Sequence, residues 1–360
     1  MPKIRILVVD DSVVFRRLVS EELSRDPELE VVGTAANGRI ALAKLGQLSP
    51  DLVILDITMP EMDGLETLKE LRKTYQRLPV IMFSSLTERG AAETLEALAL
   101  GASDYFTKPA DVGGLDNSLR VIREEMVPMI KALCAPLRQQ TARAGAGTSG
   151  LTTGKPPIVT GTIRVLAIGA STGGPNALSE IFTRLPADFP VPIVIVQHMP
   201  PMFTRLMAER LSAQSPIHVQ EASSGCLLKP GDAWVAPGDY HMIVVRDGLQ
   251  YRLLVHQDPP ENSCRPAVDV LLRSVAQSFG ADSLTVILTG MGQDGLRGCE
   301  SLRAAGGQVL VQDEATSVVW GMPGYVAGAG LADRVLPLAM IAGEIVQRVR
   351  AQKRPLRDSV

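Results

Sequence analysis

The sequence predicts an α/β chain built on two largely parallel sheets. Three observations predict it. Near-continuous apolar runs alternate with amphipathic stretches in both halves, the pattern of strands covered on both faces. At 360 residues the chain is long for one domain and comfortable for two. Between the alternating regions, "RQQTARAGAGTSGLTTGKPPIVTGT" has no hydrophobic period and is rich in Gly, Thr, Ala and Pro, the composition of a tether.

Taken in order, "IRILVVD" reads as a buried strand and "SVVFRRLVSEELSR" as the helix after it. "LEVVGTA", "DLVILDI", "PVIMFSS" and "DYFTK" continue the strands. "GRIALAKLGQL", "GLETLKELRKT", "ERGAAETLEALALG" and "LDNSLRVIREEMVPMIKAL" supply the helices between and after them. Five strand–helix units fit in the first 125 residues or so. Past a tether running from about Cys134 to Thr162, strands resume with "IRVLAIGA", "VPIVIVQH", "SLTVILTG" and "GQVLVQD". "DAWVAPGDYHMIVV" and "LQYRLLVH" predict a β-hairpin arm, with turns at Pro237-Gly238 and Asp247-Gly248.

Composition excludes several function classes. Hydrophobic residues make up 46% of the chain, enough for real cores, and the net charge is −3. No basic field invites nucleic acid or an anionic membrane, and no helix-turn-helix pattern is present. Cys134, Cys226, Cys264 and Cys299 show no CxxC pairing, which suits a reducing compartment. "MPKIRILVVDDS" meets two aspartates after a short apolar run, unlike a signal peptide. No window approaches 18 uninterrupted apolar residues, so no spanning helix or direct membrane insertion is expected. The expected location is the cytoplasm.

Chemistry-bearing residues gather at the C-terminal ends of the first region's strands, where open α/β sheets place their sites. Asp10 and Asp11 follow the first strand and Asp56 ends the third. Ser84 ends the fourth, and Lys108 follows the fifth. Singly, each is a common turn former or helix cap. Together, three carboxylates without balancing arginines call for a cation, and hard oxygen donors suit Mg²⁺. A lysine and a hydroxyl beside them suit a phosphoryl group. "VVDDS", "LDITMPEMDG", "MFSS" and "DYFTKP" resemble a response-regulator receiver domain over residues 3 to 125 or so. The resemblance implies a flavodoxin-like, five-stranded parallel sheet with Asp56 as phosphoacceptor. It also implies Mg²⁺ held by Asp10, Asp11, Asp56 and the backbone carbonyl of Thr58. Ser84 would be the switch hydroxyl, Tyr105 the switch aromatic and Lys108 the phosphate partner, with a cis Lys108–Pro109 bond.

In the second region, "GASTGGP" ends a strand and opens a helix. Gly169 to Gly173 fit the G-x-S-x-G elbow that exposes a nucleophilic serine, here Ser171. A serine capping the helix fits the same residues. A phosphate loop fits less well, because neither the G-x-G-x-x-G spacing nor a following Lys-Ser or Lys-Thr is present. "VPIVIVQHMP" ends at His198, and Asp294 lies in the Gly-rich turn after "LTVILTG". Parallel strands would bring Ser171, His198 and Asp294 to one sheet edge. There a neutral imidazole could take the hydroxyl proton and a carboxylate could steady the imidazolium. His218, His241 and His256 lack that setting, with His241 the nearest to it.

The chain order Ser, His, Asp departs from the Ser, Asp, His order of α/β-hydrolases. "GASTGGP", "VQHMP", "SCRPAVDVL", "TGMGQDG" and "QDEATSVVWGMP" instead resemble the chemotaxis protein-glutamate methylesterase family over residues 163 to 348 or so. The resemblance implies a receiver at 1–125, a helix end and linker at 126–162, and a doubly wound, mainly parallel esterase domain at 163–350. It implies hydrolysis of glutamate γ-methyl esters on methyl-accepting chemotaxis receptors, and deamidation of receptor glutamines. The backbone N–H groups of Thr172 and Met291 would form the oxyanion hole, and the esterase would need no cofactor. A chemotaxis histidine kinase would donate the phosphoryl group, and the unphosphorylated receiver would obstruct the cleft. Receptor arrays are the implied site of association. Trp320 is read either as a cleft wall or as plain core. Two other readings are a phosphorylation-controlled receptor-binding module without hydrolysis and a transcriptional regulator. No missing triad residue motivates the first, and no recognition helix supports the second.

Overall fold

A computed structural model describes residues 2–85, 87–108, 119–143 and 162–351. The chain divides near residue 150 into two compact units. Strands β1 (Ile4–Val9), β2 (Leu29–Ala35), β3 (Leu52–Asp56), β4 (Val80–Ser84) and β5 (Asp104–Thr107) form the first sheet, in the order β2-β1-β3-β4-β5. All its pairings are parallel, and the order is the flavodoxin-like one. The apolar runs become strands because both faces are covered: every residue of β3 and β4 is buried. Four helices follow the strands in turn, and Ser12, Asn37, Asp63 and Thr87 each accept a backbone N–H at the helix start. The last helix enters through a π turn, Ile122–Met126, and continues over Val127–Arg143. The Lys108–Pro109 bond and most of the tether lie outside the described residues.

The second unit carries β6 (Val165–Ala170), β7 (Ile193–Gln197), β8 (His218–Glu221), β9 (Asp232–Val235), β10 (His241–Asp247), β11 (Gln250–His256), β12 (Ser283–Ile287), β13 (Gln308–Gln312) and β14 (Arg334–Leu336). Seven of these make one sheet in the order β14-β13-β12-β6-β7-β9-β8, parallel throughout. β10 and β11 form a separate antiparallel hairpin turning at Gly248, whose φ is +60°. The expected arm is therefore shorter than the sequence suggested. "DAWV" leaves it for the main sheet, where Ala233 and Val235 are buried beside Ile193 and Ile195. β8 and β14 went unforeseen because "HVQE" and "RVL" are too short and too polar to make an apolar run.

Chain order reverses direction at β6, which pairs with β7 on one side and β12 on the other. The strand ends around this switch point form the crevice where doubly wound sheets bind ligands. Beneath it Val194, Val268, Leu272, Ile287 and Val309 are fully buried. Each such side chain contributes roughly 1.5–3 kcal/mol by leaving water. Among the described residues no helix is long and apolar enough to cross a membrane.

Candidate functional site

In the first unit the switch point falls between β1 and β3, and the acidic residues meet there. Carboxylate oxygens of Asp10, Asp11 and Asp56 lie within 4.8 Å of one another. Lys108 Nζ stands 2.8 Å from both Asp10 Oδ2 and Asp56 Oδ1. Burial is the largest influence on Asp56 and, helped by Asp10 and Asp11, carries its pKa up to about 6 against the pull of Lys108. Lys108 is raised: burial opposes its charge, but Asp10 and Asp56 outweigh it. Asp11, Thr58 and Ser84 join Asp56 and Lys108 in lining a cleft of about 260 Å³. Three hard oxygen donors against one lysine fit a divalent cation such as Mg²⁺. Ser84 is fully buried. Its hydroxyl donates to Gly90 O at 3.1 Å and accepts from Thr94 Oγ1 at 2.6 Å. Tyr105 sits half-buried on β5, opposite Met82 of β4.

In the second unit, Ser171 follows β6, His198 follows β7 and Asp294 lies beyond β12. Parallel register brings the first two together: Ala170 pairs with Gln197, and His198 N–H donates to Ala170 O at 3.1 Å. The Gln197 amide donates to Ser171 O at 2.9 Å and fixes the elbow from the side. The capping reading of Ser171 does not hold. The helix over Gly174–Phe182 is capped by Gly173, with φ +76° and no side-chain cap bond. A β-carbon at Gly173 would also press within 2.5 Å of Val318 Cγ2, so only glycine fits this left-handed position. Gly290 approaches the elbow as closely, since a β-carbon there would lie 2.8 Å from Ser171 Cβ.

Asp294 is buried and held by five hydrogen bonds. Oδ2 accepts from the N–H of Val268 at 2.6 Å and pairs with His198 Nε2 at 2.8 Å. Oδ1 accepts from Asn262 Nδ2 and from the N–H groups of Asp269 and Gly295, each at 3.0 Å. Although burial opposes ionisation, the His198 hydrogen bond and charge hold Asp294 below its ordinary value. Asp269 is pushed up, by burial first and with Asp294 adding repulsion. His198 is raised from 6.5 to about 10: burial lowers it, but Asp294 and Cys264 outweigh burial.

The structure joins His198 to Asp294 and sets Ser171 on the neighbouring strand end, but leaves one expected bond unmade. Among the described residues the Ser171 hydroxyl has no hydrogen-bond partner, and the second ring nitrogen of His198, Nδ1, faces Cys264 Sγ at 3.6 Å. Catalytic hydrogen bonds are often loose before substrate binds and tighten in the complex. The N–H groups of Thr172 and Met291 also donate to no acceptor among the described residues. Thr172 is only 5% exposed, and an unpaired N–H in a buried residue is unusual unless a ligand will take it.

Sequence reasoning missed Gln197, Asn262 and Cys264. The last two come from one tight turn, Glu261 to Cys264, closed by paired backbone bonds, with Asn262 and Ser263 at φ +53° and +61°. Such a turn aims Asn262 at Asp294 and Cys264 at His198. The motif "SCRPAVDVL" was the available signal, but pattern alone does not say which residues turn inward. His241 proves structural: Nδ1 accepts from Ala267 N–H and Nε2 meets Pro259 O, both at 3.2 Å, while burial lowers its pKa. Trp320 is 36% exposed and so is not plain core; its indole N–H donates to Gln312 O.

The family model for the CheB methylesterase matches residues 166–345, and that for the response regulator receiver domain matches residues 6–120. This chain belongs to the CheB methylesterase family. A protein-glutamate methylesterase/protein-glutamine glutaminase of Trichodesmium erythraeum is 56% identical, over 97% of this chain and 100% of its own length. One of the same description from a Nocardioides species is 53% identical over 98% and 97%. The crystal structure of the Thermotoga maritima CheB methylesterase catalytic domain superposes with a TM-score of 0.51 at 41% identity, covering 52% of this chain and 99% of that one. CheB methylesterase and receiver regions thus occur together in this chain.

Proposed function

We propose that this chain is a phosphorylation-activated serine esterase that hydrolyses glutamate γ-methyl esters on chemotaxis receptors and deamidates receptor glutamines. The observation that carries the reading is a convergence at one switch point. Ser171 and His198 close neighbouring strands, His198 is bonded to a saturated Asp294, and the N–H groups of Thr172 and Met291, in the turns after β6 and β12, have no acceptor among the described residues. In this reading neutral His198 accepts the hydroxyl proton as Ser171 Oγ attacks the ester carbonyl. The N–H groups of Thr172 and Met291 take the oxyanion. The imidazolium then returns its proton to the departing methoxide. Water deprotonated by the same ring releases the acyl group from Ser171. On a carboxamide the leaving group is ammonia.

In the receiver, residues 1–125, Asp56 is the phosphoacceptor and Lys108 contacts the phosphoryl oxygens. Asp10, Asp11, Asp56 and the Thr58 carbonyl would hold Mg²⁺, which when bound offsets phosphoryl charge. Ser84 gives up Gly90 and Thr94 to reach the phosphoryl group, and Tyr105 follows it inward. A linker over 126–162 leads to the catalytic domain, 163–350. The donor is a chemotaxis histidine kinase, and the site of action is the cytoplasmic face of receptor arrays.

The test is methanol release from methyl-esterified receptor, with and without a small phosphodonor. Ser171→Ala loses about 10³-fold or more, whereas Asp56→Asn loses only the stimulation by the donor. Unchanged release from Ser171→Ala overturns the nucleophile assignment.

A further inference from the structure

The turn that brings Cys264 to His198 builds a second chemistry into the same crevice. One atom each from His198, Cys264 and Asp294 lies within 4.8 Å of the other two. Sulfur and imidazole nitrogen are donors that Zn²⁺ takes, with bonds of about 2.0–2.3 Å; here Cys264 Sγ faces His198 Nδ1 while Asp294 holds Nε2. Hydrolysis as proposed here has no use for the thiol. We infer that His198 Nδ1 and Cys264 Sγ, with Asp294 bonded to the far side of the ring, form a reversible inhibitory site for a thiophilic divalent cation of the Zn²⁺ class.

The rest of the arrangement supports it. Asp294, fixed by Asn262 and the N–H groups of Val268, Asp269 and Gly295, holds Nε2 of His198 and so orients Nδ1, the kind of outer support that positions a metal-ligating histidine. A thiolate and a carboxylate together carry two negative charges, which a dication neutralises in a partly buried place. The remaining coordination positions are left to water, as in open zinc sites. A metal on His198 takes the lone pair that would accept the Ser171 proton, so occupancy and hydrolysis exclude one another. The inhibitory part of the inference rests on the esterase reading; the binding part does not.

The experiment uses the full chain with a non-thiol reductant and excess Mg²⁺ to occupy the acidic pocket. Co²⁺ serves as the spectroscopic probe. The wild type and Cys226→Ser should show a thiolate-to-cobalt charge-transfer band that one equivalent of Zn²⁺ removes, and Cys264→Ser should show none. Zn²⁺ should also stop methanol release in the wild type, reversibly on chelation with Mg²⁺ restored. In Cys264→Ser, measured against its own metal-free rate, the inhibition constant should rise about 10-fold or more, on the order expected for losing a ligand. A missing band in the wild type, or equal inhibition of both proteins, overturns the inference. Absence of methanol release without any metal defeats the esterase reading instead, and the cobalt band then decides the site alone.

Discussion

The two switch points of this chain use the same architecture and reach opposite electrostatic states. Around β1 and β3 three carboxylates face one lysine, and Asp56 is pushed up to about 6 by burial and its acidic neighbours. Around β6, β7 and β12 a single carboxylate is saturated by five donors and stays low, while the histidine beside it is raised. One pocket holds excess negative charge suited to a cation and a phosphoryl group. The other places its charge in a tight pair that orients a ring. Parallel sheets supply an edge where residues from distant strands meet. The surrounding donors decide whether that edge keeps carboxylate oxygens free or commits its one carboxylate to orienting a ring.

The contrast can be broken by deleting one carboxylate from each pocket. Asp294→Ala strands the N–H groups of Val268, Asp269 and Gly295 and unpairs a raised histidine, which should cost about 3–5 kcal/mol. Asp56→Asn removes a repelled charge and should leave the second unit within about 0.5 kcal/mol. Trp234 and Trp320, the chain's two tryptophans, both lie in the second unit, so urea unfolding followed by their fluorescence reads these effects. Equal shifts in both variants would erase the distinction between the pockets.

A smaller change sharpens the geometry of the elbow. Gly290→Ala drives a methyl group toward Ser171 Cβ and Met322 Sδ. Displacing a nucleophile by about 1 Å can cost on the order of 10²-fold in rate. Methanol release should fall by that much while the fluorescence transition stays cooperative. An unaffected rate would mean that Ser171 is not held where the chemistry needs it.

The smallest effect concerns pH. His198 has its folded pKa raised above 6.5, so its contribution to stability is complete below 6.5 and is lost as pH rises through about 10. In the proposed mechanism the neutral ring accepts the Ser171 proton, and it grows over the same window, so hydrolysis should climb with pH. Cys264→Ser removes one of the two raising partners and should move that limb to lower pH, read from rate profiles with Mg²⁺ held constant. A limb that stays in place would remove Cys264 from the control of the ring.

Much of both sites was legible because their residues close apolar strands. "VPIVIVQH" and "LTVILTG" show by their own composition where a strand stops, and so Ser171, His198, Asp294 and Asp56 stood out. What stayed hidden depends on backbone turned by distant contacts. Asn262 and Cys264 reach the site through a tight turn whose direction no hydrophobic period encodes. Gln197 reads in sequence as the last residue of a buried strand, and only the neighbouring elbow gives its amide a partner. The occupation of the Ser84 hydroxyl by Gly90 and Thr94 likewise follows from how a helix packs over the sheet.

The in-register pairing of Ala170 with Gln197 and of Gly169 with Ile287 ties catalysis to greasy, unreactive neighbours. Sliding one strand by a single step would carry its terminal residue about 3.3 Å along the sheet and turn its side chains to the wrong face. Fidelity of alignment is thus inherited from the close-packed interior, and a mutation that loosens strand packing far below the rim would misplace the reacting groups without touching any of them.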